Sequence, residues 1–414
     1  MNEKSFEHRK SSVKLKFTRI DGTPLANQEI RIDQKNHEFL FGSGGFDAVE
    51  YAGGAADGGP LSAESKANLH DRLQILFSLN NYATLPFYWG RYEPEEGKPD
   101  EQRLQSAAKW FGENDITVKG HPLCWHTVCA PWLMNYSNEE ILRKLIERIY
   151  RDVSIFKGNI DMWDVINEVV IMPIFDKYDN AITRVCKELG RVSIIREVFS
   201  EAKKANPAAT LLLNDFNTSI DYEILIDGCL QAGIPIDVIG IQSHQHQGYW
   251  GLEKTQEVLE RFSHFGLPIH FTENTILSGD IMPAHIGDLN DWQVEDWPST
   301  PDGEERQAKE MVEMYETLFA HPSVQAITNW DGADGKWLGA PSGMLRKDNS
   351  VKPVYHALMK KIKGEWWTNH IAHTNESGET DFCGFRGEYT VSVEDKSIDF
   401  ILDDKTDILQ IITG

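Results

Sequence analysis

The stretch WDVINEVV, residues 163–170, is apolar up to Asn167-Glu168 and then becomes apolar again. Such a run is typical of a buried strand of a parallel sheet, and here it ends on an amide and a carboxyl group. Burying polar groups costs free energy unless they are paired. The stretch therefore predicts a buried strand that delivers a polar pair to a site at its carboxyl end.

Seven other short apolar runs accompany this one, and segments of helical period lie between them. The eight runs are FLFGSGG (39–45), YATLPF (82–87), ITVKGH (116–121), MWDVIN (162–167), TLLLND (210–215), VIGIQS (238–243), PIHFTE (268–273) and QAITNW (325–330). The helical segments include 138–156, 191–206, 251–265, 304–319 and a closing helix from 351. This alternation predicts an α/β fold, the (β/α)8 TIM barrel. The alternative is a doubly wound open sheet, for which GSGG at 42–45 is only a faint version of the GxGxxG turn.

The two ends of the chain have a different pattern. Residues 13–35 alternate between apolar and polar around Asp21-Gly22, which predicts antiparallel β-structure, and the segment after residue 365 alternates in the same way. Neither segment is long enough to bury a core alone. We therefore expect an N-terminal β segment (1–37), a barrel (38–364) and a C-terminal β segment (365–414), with the end segments paired into one small accessory β-domain.

The composition excludes several classes of function. The 414 residues carry a net charge of −23, which argues against nucleic acid or an anionic membrane surface as a partner. The five cysteines are scattered without a CxxC pair, so neither a disulfide framework nor a structural zinc is expected. The opening MNEKSFEHRKSS has no apolar signal region, and no apolar run reaches the ~18 residues of a membrane span. A cytoplasmic protein is expected, although a secreted chain trimmed of its leader would look the same.

The candidate site lies where a barrel builds its chemistry, at the carboxyl ends of the strands. Polar groups there are His121 with Trp125 and His126, Asn167-Glu168, Asn214-Asp215, Gln242-Ser243-His244, Thr272-Glu273 and Trp330-Asp331. Two facing carboxyl groups, Glu168 and Glu273, are what glycosidic bond cleavage needs, one protonated and one ionised. Trp89, Trp125, Trp330 and Trp337 supply flat rings that stack on sugars. The sequence thus predicts a carbohydrate substrate.

Other interpretations of these residues remain open from the residues alone. A glutamate at a strand end is commonly a solvated loop residue, and tryptophans are commonly core. His244 and His246 point the same way on a strand and could ligate a metal. A metal-dependent hydrolase barrel would need further ligands and a His-x-His after the first strand, which has none. We expect no metal and no cofactor, and the histidines are interpreted as hydrogen-bonding support. A catalytically silent carbohydrate-binding barrel is the alternative from another class.

From about residue 39 to 363 the chain resembles glycoside hydrolase family 10, the (β/α)8 endo-β-1,4-xylanases. The motifs that carry the resemblance are GHPLCWHT (120–127), WDVINE (163–168), ANPAATLLLNDFN (205–217), IGIQSH (239–244), FTEN (271–274), WDGADGKWL (330–338) and KPVY (352–355). Six of these motifs lie at barrel strands in the family's order, and KPVY lies on the closing helix. Together they make the signal specific, although each alone is weak.

The resemblance implies a role for each site residue. Glu168 is then the general acid/base, Glu273 the nucleophile, and Asn167 the partner of the sugar 2-hydroxyl. His244 steadies the nucleophile with Gln242 beside it, and the glycon side is formed by His121, Trp125, Trp330 and Trp337. Trp89 matches a family tryptophan after the second strand, and His126, Asn214 and Asp215 support the site. The implied mechanism is retaining, with carboxyl oxygens ~5–5.5 Å apart and a covalent glycosyl-enzyme intermediate.

The chain departs from the family pattern around this machinery. The stretch TLPFYWGRYEP (84–94) replaces Glu-Asn-x-x-Lys-Trp, and Val128, Phe216 and Thr275 replace a glutamine, a tyrosine and an aspartate. These changes remove hydrogen bonds from the glycon subsites, each worth ~1–3 kcal/mol when buried. The loop at 277–303 is long and carries Trp292 and Trp297. We therefore expect short xylo-oligosaccharides or another β-glycoside as substrate, bound in a cleft that this loop closes at one end.

Overall fold

A computed structural model describes residues 5–413 of the chain, so residues 1–4 and 414 of the predicted terminal segments lie outside the described part. The strands are β1 (Lys10–Arg19), β2 (Glu29–His37), β3 (Leu40–Gly44), β4 (Tyr82–Pro86), β5 (Thr117–His121), β6 (Met162–Asn167), β7 (Thr210–Asp215), β8 (Val238–Ile241), β9 (His244–Gln245), β10 (Ile269–Ile276), β11 (Val324–Asn329), β12 (Asn369–His373), β13 (Glu379–Phe385), β14 (Gly387–Val393), β15 (Lys396–Leu402) and β16 (Ile408–Thr413).

The helices are α1 (Phe46–Gly53), α2 (Ala63–Leu79), α3 (Trp89–Tyr92), α4 (Glu101–Gly112), α5 (Asn138–Ile155), α6 (Ala181–Leu189), α7 (Arg191–Ala205), α8 (Ile220–Gln231), α9 (Gly251–Ser263), α10 (Pro301–Phe319) and α11 (Pro353–Lys360). Within residues 5–413, no helix is both long enough and apolar enough to cross a membrane.

The centre of the molecule is a closed barrel of parallel strands in the order β11-β3-β4-β5-β6-β7-β8-β10, and the pairing of β10 with β11 closes the ring. Each of the eight predicted runs forms one of these strands, so the predicted (β/α)8 barrel is confirmed. The main difference lies in β10, which continues to Ile276 because its end pairs with the short strand β9.

The helices begin where their sequences provide caps. At the start of α5, the Ser137 side chain accepts the Glu140 backbone N–H while the Glu140 carboxylate accepts the Ser137 N–H, a reciprocal capping box. Helix α10 starts with Thr300 as its cap and Pro301 in its first turn, where a missing N–H costs nothing. The predicted helical segments thus coincide with α5, α7, α9, α10 and, at the end of the barrel, α11.

The terminal segments build a small β-sandwich from both ends of the chain. One sheet has the order β13-β1-β16 and the other β12-β2-β14-β15. Side chains of both sheets meet in one apolar core that is separate from the barrel core; it includes Leu15, Phe17, Ile32, Tyr389 and Phe400. The N-terminal strands β1 and β2 lie in different sheets, and each pairs with C-terminal strands. The Asp21-Gly22 turn therefore does not pair β1 with β2. It returns the chain antiparallel for only a short distance, where the Leu25 N–H donates to the Phe17 carbonyl.

The sandwich packs against the amino-terminal ends of the barrel strands, away from the mouth where the strands end. Arg9 makes the junction: its guanidinium donates to the backbone carbonyls of Phe319, His321 and Val324 at 2.9, 2.6 and 2.6 Å, and it lies over the Phe39 ring. The Phe319 carbonyl belongs to the last turn of α10 and the His321 carbonyl follows it, and a positive charge is favourable at this end of a helix. The sandwich is therefore a base beneath the barrel.

Because β1 and β2 depend on C-terminal partners, removing those partners should expose their amides. A chain that ends at Trp367 should show exchange roughly tenfold or more faster in β1 and β2, while β6 and β7 in the barrel keep their protection. Hydrogen–deuterium exchange read by mass spectrometry measures both regions in one sample. If β1 and β2 stay protected in the shortened chain, the sandwich does not depend on this pairing.

Candidate active site

The mouth of the barrel brings most of the predicted site residues into mutual contact. Hydrogen bonds or ring contacts connect His121, Trp125, Asn167, Glu168, Asn214, Gln242, His244, Glu273, Trp330 and Trp337. The strands that carry them are neighbours around the ring, and their carboxyl ends lie at the same face. The structure therefore forms one site from residues spread over more than two hundred positions of the sequence.

Glu168 follows β6 in a left-handed backbone conformation, with φ of 57°. Such a conformation is costly for a residue with a side chain, and it recurs at active sites. Its Oε2 accepts the Trp125 indole N–H at 2.9 Å, and its Oε1 accepts the side-chain amides of Gln242 and Asn167 at 3.2 and 3.3 Å. The strained turn thus directs the carboxyl group into a set of donors.

Burial raises the pKa of Glu168 to about 8, and the charges of Glu273 and Asp215 act in the same direction. The hydrogen bonds from Trp125 and Gln242 favour the ionised form and oppose this rise. Burial prevails because a desolvated carboxylate close to a second carboxylate is expensive. Glu168 is therefore protonated at neutral pH and can act as an acid.

Glu273 lies inside β10 among groups that stabilise a negative charge. Its Oε1 accepts the Asn214 amide at 2.8 Å, its Oε2 is 3.1 Å from the Nε2 of His244, and the His121 ring nitrogen is 3.9 Å from Oε1. Burial alone would raise its pKa, but His121 and then His244 outweigh it and the pKa is lowered. At neutral pH Glu273 is therefore ionised while Glu168 is protonated.

A chain of amides links the two carboxyl groups. Asn214 Nδ2 donates both to Glu273 and to the Oδ1 of Asn167, each at 2.8 Å. Gln242 Nε2 donates to the same Asn167 oxygen at 3.0 Å and to Glu168. The neighbouring Gly240 is needed for this packing, because a Cβ there would lie 2.5 Å from the Asn214 Oδ1. The position of each carboxyl group is thus fixed relative to the other.

His121 is oriented from below by a buried ion pair. Its Nδ1 lies 2.7 Å from Asp164, which also pairs with Lys119 at 2.6 Å, and both acid and lysine side chains are fully buried. Although burial opposes ionisation of Asp164, Lys119 and His121 lower its pKa. The ionised Asp164 holds the His121 ring in place at the end of β5, beside Glu273.

Aromatic rings form one wall of the site. Trp330 packs edge-on against His121 with ring centroids 5.2 Å apart, and Trp337 packs against His244 at 4.4 Å. Asp331 accepts the Ser342 hydroxyl at 2.6 Å, which ties the segment between the two tryptophans to the loop beyond it. Burial raises the pKa of Asp331 to about 7.

Tyr88 is a residue of the site that the sequence patterns did not predict. Its ring centroid lies 5.7 Å from that of His121 and 5.6 Å from that of Trp125. Burial and the charges of Glu273 and Glu168 raise the pKa of its hydroxyl well above the usual value. Its position could have indicated this role. Tyr88 directly follows the apolar run at 82–87, in the stretch that replaces the family's polar sugar-binding residues.

Three predicted residues lie outside the surface of the cleft. Trp89 is buried in the core and donates its indole N–H to Glu93 at 3.1 Å, so it offers no free face to a sugar. His126 is buried against Phe175, with centroids 4.6 Å apart. Asp215 accepts the backbone N–H of Val170 at 3.0 Å and so holds the segment that follows Glu168. His126 and Asp215 therefore lie in supporting positions, whereas Trp89 belongs to the core.

His244 and His246 converge on a hydroxyl group. Their Nδ1 atoms lie 3.4 and 3.2 Å from the Thr275 Oγ1, which also accepts the Gln245 N–H at 3.1 Å. A hydroxyl has one hydrogen and two lone pairs. If His246 donates to it, the hydroxyl can donate to His244, whose Nε2–H then donates to Glu273. Within residues 5–413, no three His, Cys, Asp or Glu side chains form a group that could hold a metal ion.

A protonated and an ionised carboxyl group, linked through amides at the mouth of a (β/α)8 barrel, define a glycoside hydrolase. The comparisons with known proteins agree with this class. The family model described as Glycosyl hydrolase family 10 matches residues 50–361. The chain belongs to glycosyl hydrolase family 10.

Two relatives and one solved structure to which the chain is similar are each named as a xylanase. Endo-1,4-beta-xylanase B of Thermotoga neapolitana is 28% identical over 66% of this chain and 78% of its own length. Endo-1,4-beta-xylanase 1 of Arabidopsis thaliana is 23% identical over 98% of this chain, which spans 39% of that protein. The crystal structure of xylanase 10B from Thermotoga maritima has a TM-score of 0.62 at 23% identity, covering 79% of this chain and 96% of that one. At this identity the structural likeness establishes the fold.

The raised pKa of Glu168 should set the alkaline limit of activity. Activity needs the acid form, so kcat/KM on a glycoside with a poor leaving group should fall as the pH rises through about 8. Trp125→Phe removes a hydrogen bond that favours the carboxylate, so this limit should move to higher pH. A pH profile of wild type and variant measures the shift; a limit that stays in place would show that another group titrates.

The side chain at position 275 should influence the acidic limit of activity, because it contacts His244, which bonds the nucleophile Glu273. Thr275→Asp places a carboxylate beside the Nδ1 of His244, on the side of the ring away from Glu273. This polarises the ring and strengthens its hydrogen bond to the Glu273 carboxylate. The acidic limit of kcat/KM should then move to lower pH. Thr275→Ser keeps the hydroxyl and serves as the matched control with an unchanged limit. An identical limit in both variants would contradict the influence of Thr275 on the nucleophile.

Proposed function

We propose that this protein hydrolyses β-1,4-xylosidic bonds in short xylan-derived oligosaccharides, or a closely related β-glycoside, with retention of configuration. The observation that carries the proposal is the division of protonation between Glu168, with its pKa raised to about 8, and Glu273, with its pKa lowered. A retaining glycosidase needs this division, because one group gives a proton while the other attacks.

The geometry supports a role for each group in a double displacement. Glu273 attacks the anomeric carbon and forms a glycosyl ester while Glu168 gives its proton to the departing oxygen. Glu168, now ionised, takes a proton from water, which attacks the same carbon and releases the sugar and the Glu273 carboxylate. The His244 hydrogen bond holds Glu273 in its attacking orientation. Asn167, bonded to both Asn214 and Glu168, is the group proposed to bind the sugar 2-hydroxyl.

The glycon side supports a short or modified substrate. Val128 replaces the family's glutamine and takes φ of 48°, while its carbonyl accepts the Gly90 N–H at 2.7 Å. Tyr88 occupies the stretch where the family has charged and amide side chains, and it presents a ring instead. Phe216, in place of a tyrosine, is 45% exposed and has no hydroxyl to offer. With fewer polar contacts per sugar, a long chain gains less from each added unit.

The catalytic assignment should separate the two glutamates by their response to the leaving group. Glu273→Ala should lose turnover on every substrate. Glu168→Ala should lose about 10²–10⁴-fold on xylo-oligosaccharides, because their leaving oxygen needs a proton, and far less in the glycosylation step on aryl glycosides with good leaving groups. The measurement is product analysis on a panel of aryl β-glycosides and xylo-oligosaccharides, with Glu376→Ala in the accessory sandwich as a control carboxylate.

The same panel decides among the alternatives. Cleavage of one sugar type by wild type identifies the glycon, and NMR of the first product should show the β-anomer. Equal losses of Glu168→Ala on activated and unactivated substrates would contradict its role as the acid. Binding of sugars by wild type without cleavage of any substrate would instead establish a silent carbohydrate-binding barrel.

A further inference from the structure

Two loops at the mouth of the barrel meet through a pair of ion contacts. The loop after β6 carries Lys177, and its ammonium group lies 2.7 Å from Asp288 and 2.6 Å from Asp291 in the loop after β10. These strands are the ones that carry Glu168 and Glu273. We name Lys177, Asp288 and Asp291 the clasp.

The charges of the clasp are favourable for this contact. Hydrogen bonds to Asp288 and then Asp291 raise the pKa of Lys177. Burial opposes ionisation of Asp288, but the hydrogen bond from Lys177 lowers its pKa. Both shifts favour the ionised forms of Lys177 and Asp288, so their contact persists at neutral pH.

The loop that carries the two aspartates, residues 277–303, is a packed unit. Its own apolar cluster includes Leu277, Met282 and Trp297, with Trp292 and Leu338 packed against it. The Trp297 indole donates to the Asp280 carbonyl at 2.7 Å, and Met282 N–H donates to the His246 carbonyl at 2.7 Å. The two tryptophans noted in the sequence thus pack inside this loop, and its bond to His246 anchors it next to His244 of the site.

The other loop forms a wall beside the proton donor. The Phe175 ring packs against Tyr178, with centroids 4.9 Å apart, and also against His126 under the cleft. Burial raises the pKa of the Tyr178 hydroxyl, and the charges of Cys129, Glu168 and Asp288 raise it further, so Tyr178 lies within the field of both the acid and the clasp. Tyr178 is 49% exposed, which leaves a ring face free.

The direction of proton transfer identifies which side of the cleft receives the aglycon. Glu168 donates its proton to the leaving group, so the space beside Glu168 and Tyr178 receives the aglycon. Trp330 and His121 lie across the site, toward Glu273. Asp288 acts on the same Tyr178 hydroxyl as Glu168, so the contact between Lys177 and Asp288 borders the aglycon side.

We infer that the clasp closes the aglycon end of the cleft, so that the enzyme accepts a single sugar or an aryl group there and releases the reducing-end unit of an oligosaccharide. This inference rests on the proposed function. Tyr178 supplies a stacking face for that one unit, and the clasp obstructs any sugar unit beyond it. The residues that determine this specificity belong to two loops and make no contact with the bond that is cleaved.

The test uses xylo-oligosaccharides labelled at the reducing end and follows the labelled products. Wild type should release labelled monosaccharide alone. Lys177→Ala and the double variant Asp288→Asn/Asp291→Asn should also release labelled disaccharide and longer fragments, with the long-to-short ratio raised roughly fivefold or more. Lys177→Arg should keep the wild-type pattern. Lys254→Ala is the matched control, because Lys254 has the same 39% side-chain exposure in an ion pair on α9.

Binding to the inactive Glu273→Ala protein separates failure of the clasp from failure of the proposed function. Calorimetry compares xylotriose with xylotriose that carries a bulky group at its reducing end. The bulky ligand should bind weakly to Glu273→Ala. It should bind to Glu273→Ala/Lys177→Ala as tightly as xylotriose does. Equal binding of both ligands to Glu273→Ala, or labelled fragments of mixed length from wild type, would overturn the inference. Absence of cleavage by wild type would overturn the proposed function, while the binding comparison would still decide on the clasp.

Discussion

The site depends on one side-chain amide, that of Asn214. Its Nδ2 group donates to Glu273 and to Asn167, and its Oδ1 accepts the Thr272 hydroxyl at 2.7 Å. Its backbone carbonyl accepts the Glu168 N–H at 2.9 Å. A residue on β7 therefore fixes both carboxyl groups, although neither lies on its own strand. Because every polar atom of this side chain is used, it has one orientation, and the separation of the two carboxyl groups follows from it.

The fixed separation has an electrostatic consequence. Two buried carboxyl groups in one network cannot both ionise without a large penalty, so the environment decides which one does. Glu273 has two imidazole rings and an amide around it, whereas Glu168 has neutral donors only. His121 adds to the difference because the buried Lys119–Asp164 pair holds it beside Glu273. The assignment of acid and nucleophile is thus a property of the barrel interior.

The sequence predicted the features that local patterns determine, which are the barrel strands and the end of the barrel that carries the site. Each barrel strand is a continuous apolar run because both of its faces are buried, and the polar residue at its end marks the mouth. Pairings between distant segments leave no such pattern. The alternation in β1 and β2 showed strands, and their shortness indicated that they pair with the C-terminal segment. The pattern could not show that β1 and β2 join different sheets. Trp89 was placed in the cleft because its spacing matches a tryptophan in the family, but spacing does not reveal which way a side chain turns.

The positions at which this chain departs from the family motifs lie outside the hydrogen-bond network of Asn214. Every residue that bonds a carboxyl group directly, from Trp125 to His244, matches the motifs by which the chain resembles the family. A substitution there would leave a buried donor or acceptor without a partner. Thr275 and Val128 lie one step outside, where the loss of an amide or a carboxylate leaves the catalytic pair intact. The two loops that meet at Lys177 lie further out still and make no hydrogen bond to either carboxyl group. Selectivity can therefore change along the cleft while the arrangement that breaks the bond stays the same.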